Sequence, residues 1–292
     1  MANTYTDVKA REIDFVSRFA QNWDALKNIL GIMNTIKKTS GTQLVSYTAE
    51  ATNGLAESPA AGAEIPVTEF TVTEAAKGDL TIEKYRKKVP VEEVVKYGAA
   101  VAIQKTDDAF LVELQNTVLT KFYNFLHTGT LTATETSWQM ALAMAKGLVL
   151  DKFNKMKKTV TDVVAFVNVL DVYEYVGAAN VTIQTQFGLQ YIKDFMGYST
   201  VFLLSDPNVA RGKVYATPVE NIDLYYVDPS EADIEKLGLV YTVDGETNLI
   251  GFNAVGDYKT ASGESYALMG MALWAEYLDG IAAVTVDANS GV

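Results

Sequence analysis

Residues 51–64, Ala-Thr-Asn-Gly-Leu-Ala-Glu-Ser-Pro-Ala-Ala-Gly-Ala-Glu, lie at the centre of a segment, residues 40–98, that is too poor in apolar side chains to form a core of its own. The small residues and the glycines are typical of an exposed loop tip. Apolar residues alternate with polar ones on the flank that follows, at Val67, Phe70, Val72, Leu80 and Ile82. The pattern predicts a long β-hairpin, and because isolated hairpins are marginally stable in water, we expect it to rest on another surface.

The charges of this segment are sorted along the chain. Residues 41–75 hold five glutamates and no base, whereas residues 77–88 hold five bases against Asp79 and Glu83. Both limbs are compatible with solvated faces, where exposed ion pairs contribute little. The sorting also permits the acidic edge of one copy to meet the basic edge of the next. On that second interpretation, the candidate contact residues are Glu57, Glu64, Glu69, Glu74, Lys84, Arg86, Lys87 and Lys88.

Residues 7–38 are predicted to be helical, because apolar residues recur at three- and four-residue steps on a charged background. Gly31 interrupts this pattern and predicts a bend or two shorter helices. The amphipathic helix either packs on its own domain or lies as an arm on a neighbouring subunit. The second alternative makes Phe15, Phe19 and Trp23 candidate inter-subunit contacts.

A second helix, with the clearest pattern in the chain, is predicted between Thr106 and His127. Thr106 is a suitable N-cap, and Asp107 and Asp108 would complement the dipole in the first turn. Apolar residues then follow one face at four-residue spacing, at Phe110, Leu114, Val118, Phe122 and Leu126. Gly129 is expected to end this helix, which is about as long as a small domain is wide.

Helices and strands are interleaved along the rest of the chain, so we expect a mixed protein, which we assign to the α+β class. We expect three further helices: one at 137–156, one that starts at 171, and one that ends at 191–197. Strands are expected at 163–167, 201–204, 213–215, 222–227 and 281–286, and residues 269–278 are either helical or extended. The run Val-Val-Ala-Phe-Val at 163–167 is continuously apolar, so we expect this strand to be covered on both faces.

Composition argues against most chemistry. The chain of 292 residues has a net charge of −12, one histidine and no cysteine, so disulfides, zinc clusters and thiol nucleophiles are excluded. An acidic chain repels nucleic acid unless a basic face is segregated, which argues against a sequence-reading DNA binder. No apolar run is long enough to span a membrane, and residues 1–14 do not resemble a secretory signal.

Individual candidate sites also favour structural roles. His127 is expected at a helix C-terminus, where an imidazolium complements the dipole. Residues 244–248, Asp-Gly-Glu-Thr-Asn, favour a turn over a calcium loop. The basic cluster Lys146, Lys152, Lys155, Lys157 and Lys158 is interpreted as a solvated helix end or a weak contact to DNA. We therefore predict no catalytic residue, no metal site and no cofactor, and hence no enzyme.

Three stretches, taken in order, resemble the major capsid proteins of tailed bacteriophages with the Hong Kong 97-type fold. They are VVAFVNVLDVYEYVG at 163–177, FGLQYIKDFMGYSTVFLLS at 187–205 and LDGIAAVTV at 278–286. The second stretch, with GKVYAT at 212–217, is similar to siphovirus heads of Gram-positive hosts.

The resemblance implies a domain layout. Residues 1–41 would form an N-terminal arm and 42–98 the extended loop, a β-hairpin. Residues 99–159 and 269–292 would form the peripheral domain with the spine helix, and residues 160–268 the axial domain.

The resemblance also implies a structural protein that assembles as hexamers and pentamers into an icosahedral shell around double-stranded DNA. Its partners would be its own copies, a scaffolding protein, a portal and decoration proteins, with only non-specific proximity to the packaged DNA. It would be found in the host cytoplasm before assembly and in the virion afterwards. Because the arm begins almost at Met1, a separate scaffold is expected. Some relatives crosslink a loop lysine, but no specific signal marks Lys84, Lys87 or Lys88 for this.

Two rival functions remain. An encapsulin-type compartment would share the fold but hold a cargo protein in place of DNA. A small-molecule hydrolase would need a convergent pair of carboxylates with perturbed pKa values in a deep pocket.

Overall fold

The computed structural model describes residues 5–32, 34–52, 56–177, 182–186 and 189–287. Its helices are α1 (Tyr5–Leu30), α2 (Val91–Tyr97), α3 (Ala99–Leu126), α4 (Trp138–Lys155), α5 (Val169–Val176) and α6 (Ala232–Glu235). Its strands are β1 (Thr35–Lys37), β2 (Thr42–Ala51), β3 (Phe70–Leu80), β4 (Glu83–Pro90), β5 (Leu131–Glu135), β6 (Val163–Asn168), β7 (Gln184–Gln186), β8 (Leu189–Phe195), β9 (Tyr198–Leu204), β10 (Lys213–Pro218), β11 (Ile222–Val227), β12 (Ile250–Asp257), β13 (Ser262–Ala275) and β14 (Ala282–Val286).

The first large sheet is organised around the long strand β13. The N-terminal half of β13 lies between β12 and β4, and its C-terminal half pairs antiparallel with β11. Strand β1 adds to β11 in parallel. Helices α1 and α3 pack against this sheet, and their apolar faces share one core with it.

The second large sheet has seven strands in the order β5-β14-β10-β6-β9-β8-β7. Every residue of its central strand β6 is buried. Val164 and Phe166 face the core formed with α1 and α3, whereas Val163, Ala165 and Val167 face a second core under α4. The prediction of a strand covered on both faces is therefore confirmed.

Helix α1 ends earlier than the sequence suggested. It stops at Leu30, because Gly31 has a φ of +71° and turns the chain out of the helix. A Cβ at Gly31 would also lie 2.5 Å from Val219 Cγ1. The prediction of helix up to residue 38 is wrong: the following residues form β1, which finds its partner in β11 far along the chain.

Helix α3 starts earlier than predicted. It begins at Ala99 directly after Gly98, and its 28 residues span about 42 Å. Thr106 is therefore not an N-cap. Its hydroxyl donates to the carbonyl of Ala102 at 2.7 Å inside the helix. The segment before Thr106 lacks a buried apolar stripe, which is why the start was misplaced.

The helix predicted to close at 191–197 is wrong as well. Those residues form β8 and a tight turn in which Met196 and Gly197 both have positive φ. Tyr191 and Ile192 are both buried, so the apolar pattern of β8 does not alternate. The segment at 269–278 is largely extended, as part of β13. The helices near 137–156 and 171 and the strands at 201–204, 213–215, 222–227 and 281–286 are confirmed.

The two sheets do not follow the predicted domain limits. The limit between residues 268 and 269 falls inside β13. Helix α4, grouped with the spine helix in that layout, packs on β10 and β14 of the seven-stranded sheet. None of the helices in the described part of the chain is long and apolar enough to cross a membrane.

Candidate assembly surface

Strands β2 and β3 form an antiparallel hairpin that extends from the five-stranded sheet. Thr42 pairs with Leu80 at its base and Ala51 with Phe70 near its tip. Ten residues of strand span about 33 Å. Burial is confined to the base, where Leu44 and Leu80 pack against residues of β11 and β13. Most of the hairpin is therefore supported by nothing in its own chain among the described residues.

The hairpin exposes three large apolar side chains on one face, which also carries Glu74 opposite Tyr47. The register places Tyr47, Val72 and Phe70 on one side, and these side chains are 61%, 64% and 60% exposed. Ser46, Thr71 and Thr73 lie on the other side. Large apolar side chains clustered on an exposed surface are typical of an interaction site.

The acidic residues of the predicted contact set are free for contacts. Glu57, Glu64, Glu69 and Glu74 are all exposed, and none of them forms an ion pair within the described part of the chain. The hairpin therefore presents carboxylates beside its apolar face.

The basic residues of that set require a correction. They lie on β4, which is a strand of the five-stranded sheet and not a limb of the hairpin. Arg86 pairs with Glu264, and Lys87 pairs with Asp107, both within the same chain. Only Lys84 and Lys88 are exposed and form no ion pair with another described residue. The charges in the sequence alone did not show that Arg86 and Lys87 bind acids of their own chain whereas Lys84 and Lys88 do not.

Phe15, Phe19 and Trp23 also require a correction. Each is 0% exposed, in the core that α1 shares with α3 and the sheets. Phe15 stacks on Phe252 with ring centroids 4.0 Å apart. Since no surface of these side chains remains for another subunit in this conformation, their role is core packing, and the alternative in which α1 packs on its own chain is the one observed.

A polar cluster that sequence reasoning missed lies under the base of the hairpin. Lys77 is buried on β3, with its Nζ 3.4 Å from the Tyr225 hydroxyl, which donates to Asp223 at 3.2 Å. Burial lowers the pKa of Lys77 against the opposing effect of Asp223, and burial raises the pKa of Asp223. The cluster anchors the hairpin to β11. The alternation did not mark Lys77 for burial, because Lys77 occupies one of the polar positions of the pattern.

A second polar cluster joins three elements. Arg11 on α1 binds the Asp107 carboxylate through two hydrogen bonds of 2.7 Å, and Lys87 on β4 also donates to it. Asp107 is 2% exposed. Burial would raise the pKa of Asp107, but the hydrogen bonds from Arg11 and Lys87 outweigh burial and lower it. These three side chains thus link α1, α3 and the five-stranded sheet.

The other candidate sites have structural partners. His127 is the C-cap of α3, and its Nε2 lies 2.9 Å from the carbonyl oxygen of Asn208. The Asp244 carboxylate accepts hydrogen bonds from the backbone amides of Thr247 and Asn248, as in a turn. In the basic cluster, ion pairs join Lys152 to Asp279 and Lys155 to Asp151. Lys146 donates a hydrogen bond to the carbonyl of Gly197, and Lys158 donates one to the hydroxyl of Tyr277. Within the described ranges, no group of three or more acidic or histidine residues is placed to hold a metal ion.

Comparison with known proteins shows similarity in fold but not in sequence. No family model matches the chain, and no curated protein is similar to it in sequence. Among solved structures, the capsid asymmetric unit of cyanophage A-1(L) has a TM-score of 0.52 at 13% identity, covering 91% of this chain and 93% of that one. A structure of Microbacterium phage Oxtober96 has a TM-score of 0.51 at 13% identity over 89% and 90%. The capsid of cyanophage P-SCSP1u has a TM-score of 0.50 at 8% identity over 87% and 86%.

The chain therefore has the fold of phage capsid subunits. The long helix α3, the projecting hairpin and the final short strand β14 are parts that the resemblance to the Hong Kong 97-type fold predicted. The matches extend over almost the whole of both chains, so they concern the complete subunit and not one shared motif.

Proposed function

We propose that this chain is the major capsid protein of a tailed bacteriophage, a structural subunit that builds an icosahedral shell from hexamers and pentamers. The observation that carries the proposal is the hairpin β2–β3, which exposes Tyr47, Phe70 and Val72 on one face. A monomeric protein gains nothing from holding such a face in water. A subunit that lays this face on the next copy removes it from water and links the two copies.

The proposal includes partners and location. Shell assembly in this class of fold involves a scaffolding protein, a portal and, in some cases, decoration proteins, and the shell encloses double-stranded DNA in the virion. The net charge of −12 supports weak, non-specific contact with that DNA, because an acidic wall repels phosphates. The fold is compatible with this function since the matched structures include phage capsids.

The test is assembly of the purified chain with and without its hairpin. Replacing residues 47–74 by an Asn-Gly turn joins two paired positions, Ser46 and Ala75, and leaves the buried base in place. The deletion must leave β4 (Glu83–Pro90) intact, because β4 is a strand of the five-stranded sheet. We expect the full chain, supplied with scaffold where required, to form shells or capsomers in negative-stain micrographs. The shortened chain should unfold cooperatively but stay monomeric.

Two outcomes would contradict the proposal. A full-length chain that remains monomeric in light scattering at high concentration, even with scaffold, excludes a shell subunit. Shells that contain a specific protein and no DNA when isolated from the native host would favour the encapsulin-type alternative.

A further inference from the structure

A cavity lies beside α3, where the two cores of the subunit meet. It has a volume of about 630 Å³ and is formed by α3, the first residue of α5, strands β7, β8 and β9 and the loop that follows β9. Sites for small molecules have volumes of about 300–1,000 Å³. The size of the cavity is therefore that of a small-molecule site.

The most buried part of the cavity lining is apolar. It consists of Leu119 and Tyr123 from α3 and Leu203 and Leu204 from β9, each of which is at most 4% exposed. Leu119 and Leu204 belong to the core that α1 and α3 share with the sheets, whereas Leu203 belongs to the core under α4. A molecule in the cavity would therefore contact both cores.

The exposed part of the lining is polar but uncharged. It includes Asn116, Thr120, Thr185, Gln190 and Ser205. In the part of the chain that the structure describes, no acidic or basic side chain lines the cavity, although 21% of all residues are charged. An ion that entered would lose hydration without meeting an opposite charge. The lining therefore favours an uncharged ligand.

One buried polar group of this lining has no partner. The ring of Tyr123 packs against Phe166, with centroids 6.1 Å apart, but its hydroxyl forms no hydrogen bond with another described residue. Burial raises the pKa of Tyr123, so the hydroxyl stays protonated and can donate a hydrogen bond. Because buried polar groups nearly always have a partner, this hydroxyl is a donor that a ligand can use.

Water alone does not suit this arrangement. Buried water molecules typically make about three hydrogen bonds to the protein. In the most buried part of the lining, the Tyr123 hydroxyl is the one polar side-chain group among the described residues, and the other three residues are leucines. An apolar surface with a single donor matches a molecule that is apolar apart from one acceptor.

We propose that this cavity binds an uncharged, largely apolar molecule whose carbonyl or ether oxygen accepts a hydrogen bond from the Tyr123 hydroxyl. The inference is separate from the proposed function, because one subunit supplies the whole described lining. A ligand that contacts α3 and β9 together stabilises the packing of α3 on the seven-stranded sheet. It should therefore raise the melting temperature of the subunit.

The first experiment measures the binding of three related probes to the full-length chain by calorimetry. Benzophenone should bind about fivefold more tightly than diphenylmethane, which has the same two rings but no oxygen to accept a hydrogen bond. The anion 4-benzoylbenzoate should bind about tenfold more weakly than benzophenone, because the lining offers its carboxylate no cation. In Tyr123→Phe, the preference for benzophenone over diphenylmethane should disappear.

Two tyrosine variants show whether the Tyr123 hydroxyl is free in the unliganded chain. Tyr123→Phe should change the melting temperature of the unliganded chain by less than about 1 °C, because no hydrogen bond is lost. The matched control is Tyr198→Phe. The buried hydroxyl of Tyr198 donates to the carbonyl of Leu142 at 2.6 Å, so its removal should lower the melting temperature by about 2–4 °C.

The second experiment locates the probe. Thr120→Trp places a bulky side chain at the exposed part of the lining and should weaken benzophenone binding about tenfold. Asn124→Trp is the matched control, since Asn124 is exposed on α3 but does not line the cavity, and it should leave binding unchanged. Under ultraviolet light benzophenone bonds covalently to nearby C–H groups. The labelled peptides should contain Leu119 or residues 203–204.

The outcomes decide the inference independently of shell assembly. If saturating benzophenone leaves the melting temperature unchanged, the cavity holds water and the proposal is overturned. Equal affinity of benzophenone for the original chain, Tyr123→Phe and Thr120→Trp, or labelling confined to other peptides, would also overturn it. Neither result affects the proposed function, and a chain that never assembles should still bind the probe.

Discussion

At the scale of single residues, the subunit depends on a few polar groups buried between elements that are distant in sequence. Arg11, Lys87 and Asp107 meet at the junction of α1, β4 and α3. The charges are removed from water, so each must keep its partner, and loss of one leaves the others buried and uncompensated. The sequence placed Lys87 in an inter-subunit contact and Asp107 in a first helical turn, and only the fold brought them together.

Asp107→Asn tests this cluster. Because the substitution leaves Arg11 and Lys87 facing a neutral amide in a buried site, we expect the free energy of unfolding to fall by about 3 kcal/mol in urea titrations at neutral pH. Asp151→Asn removes an exposed partner of Lys155 and should change stability by less than about 0.5 kcal/mol.

The loss of stability caused by Asp107→Asn should also depend on pH. The folded pKa of Asp107 is lowered, so its contribution is complete above the unfolded pKa and is lost as the pH falls through the folded value. The difference between the original chain and Asp107→Asn should shrink in acid. A difference that stays constant from neutral pH to below the folded pKa would show that ionised Asp107 is not the stabilising form.

At the scale of elements, the hairpin is held by its base alone, so the geometry of the base sets where the tip lies. Gly78 lies at the irregularity in the β2–β3 ladder, which falls between Leu44 and Val45, and has a φ of +150°. A Cβ at this position would lie 2.8 Å from Trp274 Cη2. The buried Lys77 beside it fixes the same region to β11. Both features stabilise one direction of the hairpin relative to the sheet.

Gly78→Ala should therefore displace the hairpin base. We expect a loss of about 1–3 kcal/mol from the strained φ and the contact with the indole of Trp274, together with weaker assembly. Thermal unfolding and light scattering on the same samples measure both. Gly147→Ala is the matched control: it is exposed in α4, has no atom within 4 Å of the added Cβ, and should stabilise by about 0.5–1 kcal/mol. Equal changes in stability and assembly for Gly78→Ala and Gly147→Ala would contradict the conclusion that the hairpin base sets the position of the tip.

At the scale of the whole molecule, the proposed function assigns folding and assembly to different apolar surfaces. Phe166 is in the core between the sheets, stacked on Phe202 with ring centroids 5.2 Å apart and edge-on to Phe122 at 5.7 Å. Phe70 is on the hairpin and is 60% exposed. The first ring stabilises the subunit, whereas the second is available only to another molecule.

A pair of alanine substitutions separates these roles. Phe166→Ala should lower the free energy of unfolding by about 3–5 kcal/mol, because it leaves a cavity in a packed core. Phe70→Ala should change the stability of the monomer by less than about 0.5 kcal/mol but reduce shell formation, since it removes an apolar contact between copies. Denaturant titration of dissociated subunits and negative-stain counting measure the two effects. A Phe70→Ala variant that assembles normally would contradict the separation.

The sequence by itself determined the elements whose pattern is local: the buried strand β6, the helices α4 and α5, most of α3, and a hairpin too poor in apolar residues to stand alone. It also determined the order of elements from which the fold was predicted. Alternation and periodicity show which side chains of one element are removed from water. These patterns can therefore be interpreted without knowing which other element it packs against.

Only the tertiary structure decided which surfaces those elements meet. It placed Phe15, Phe19 and Trp23 inside the subunit, joined Arg86 and Lys87 to acids of the same chain, and left an uncharged cavity beside α3. Residues 35–37 became a strand because β11, far away in sequence, pairs with them. Residues 191–195 pair with β9 across a tight turn, and the pairing of β9 with the distant strand β6 holds this hairpin in the seven-stranded sheet. Such pairings depend on contacts across the whole chain, and a local pattern of polarity does not contain them.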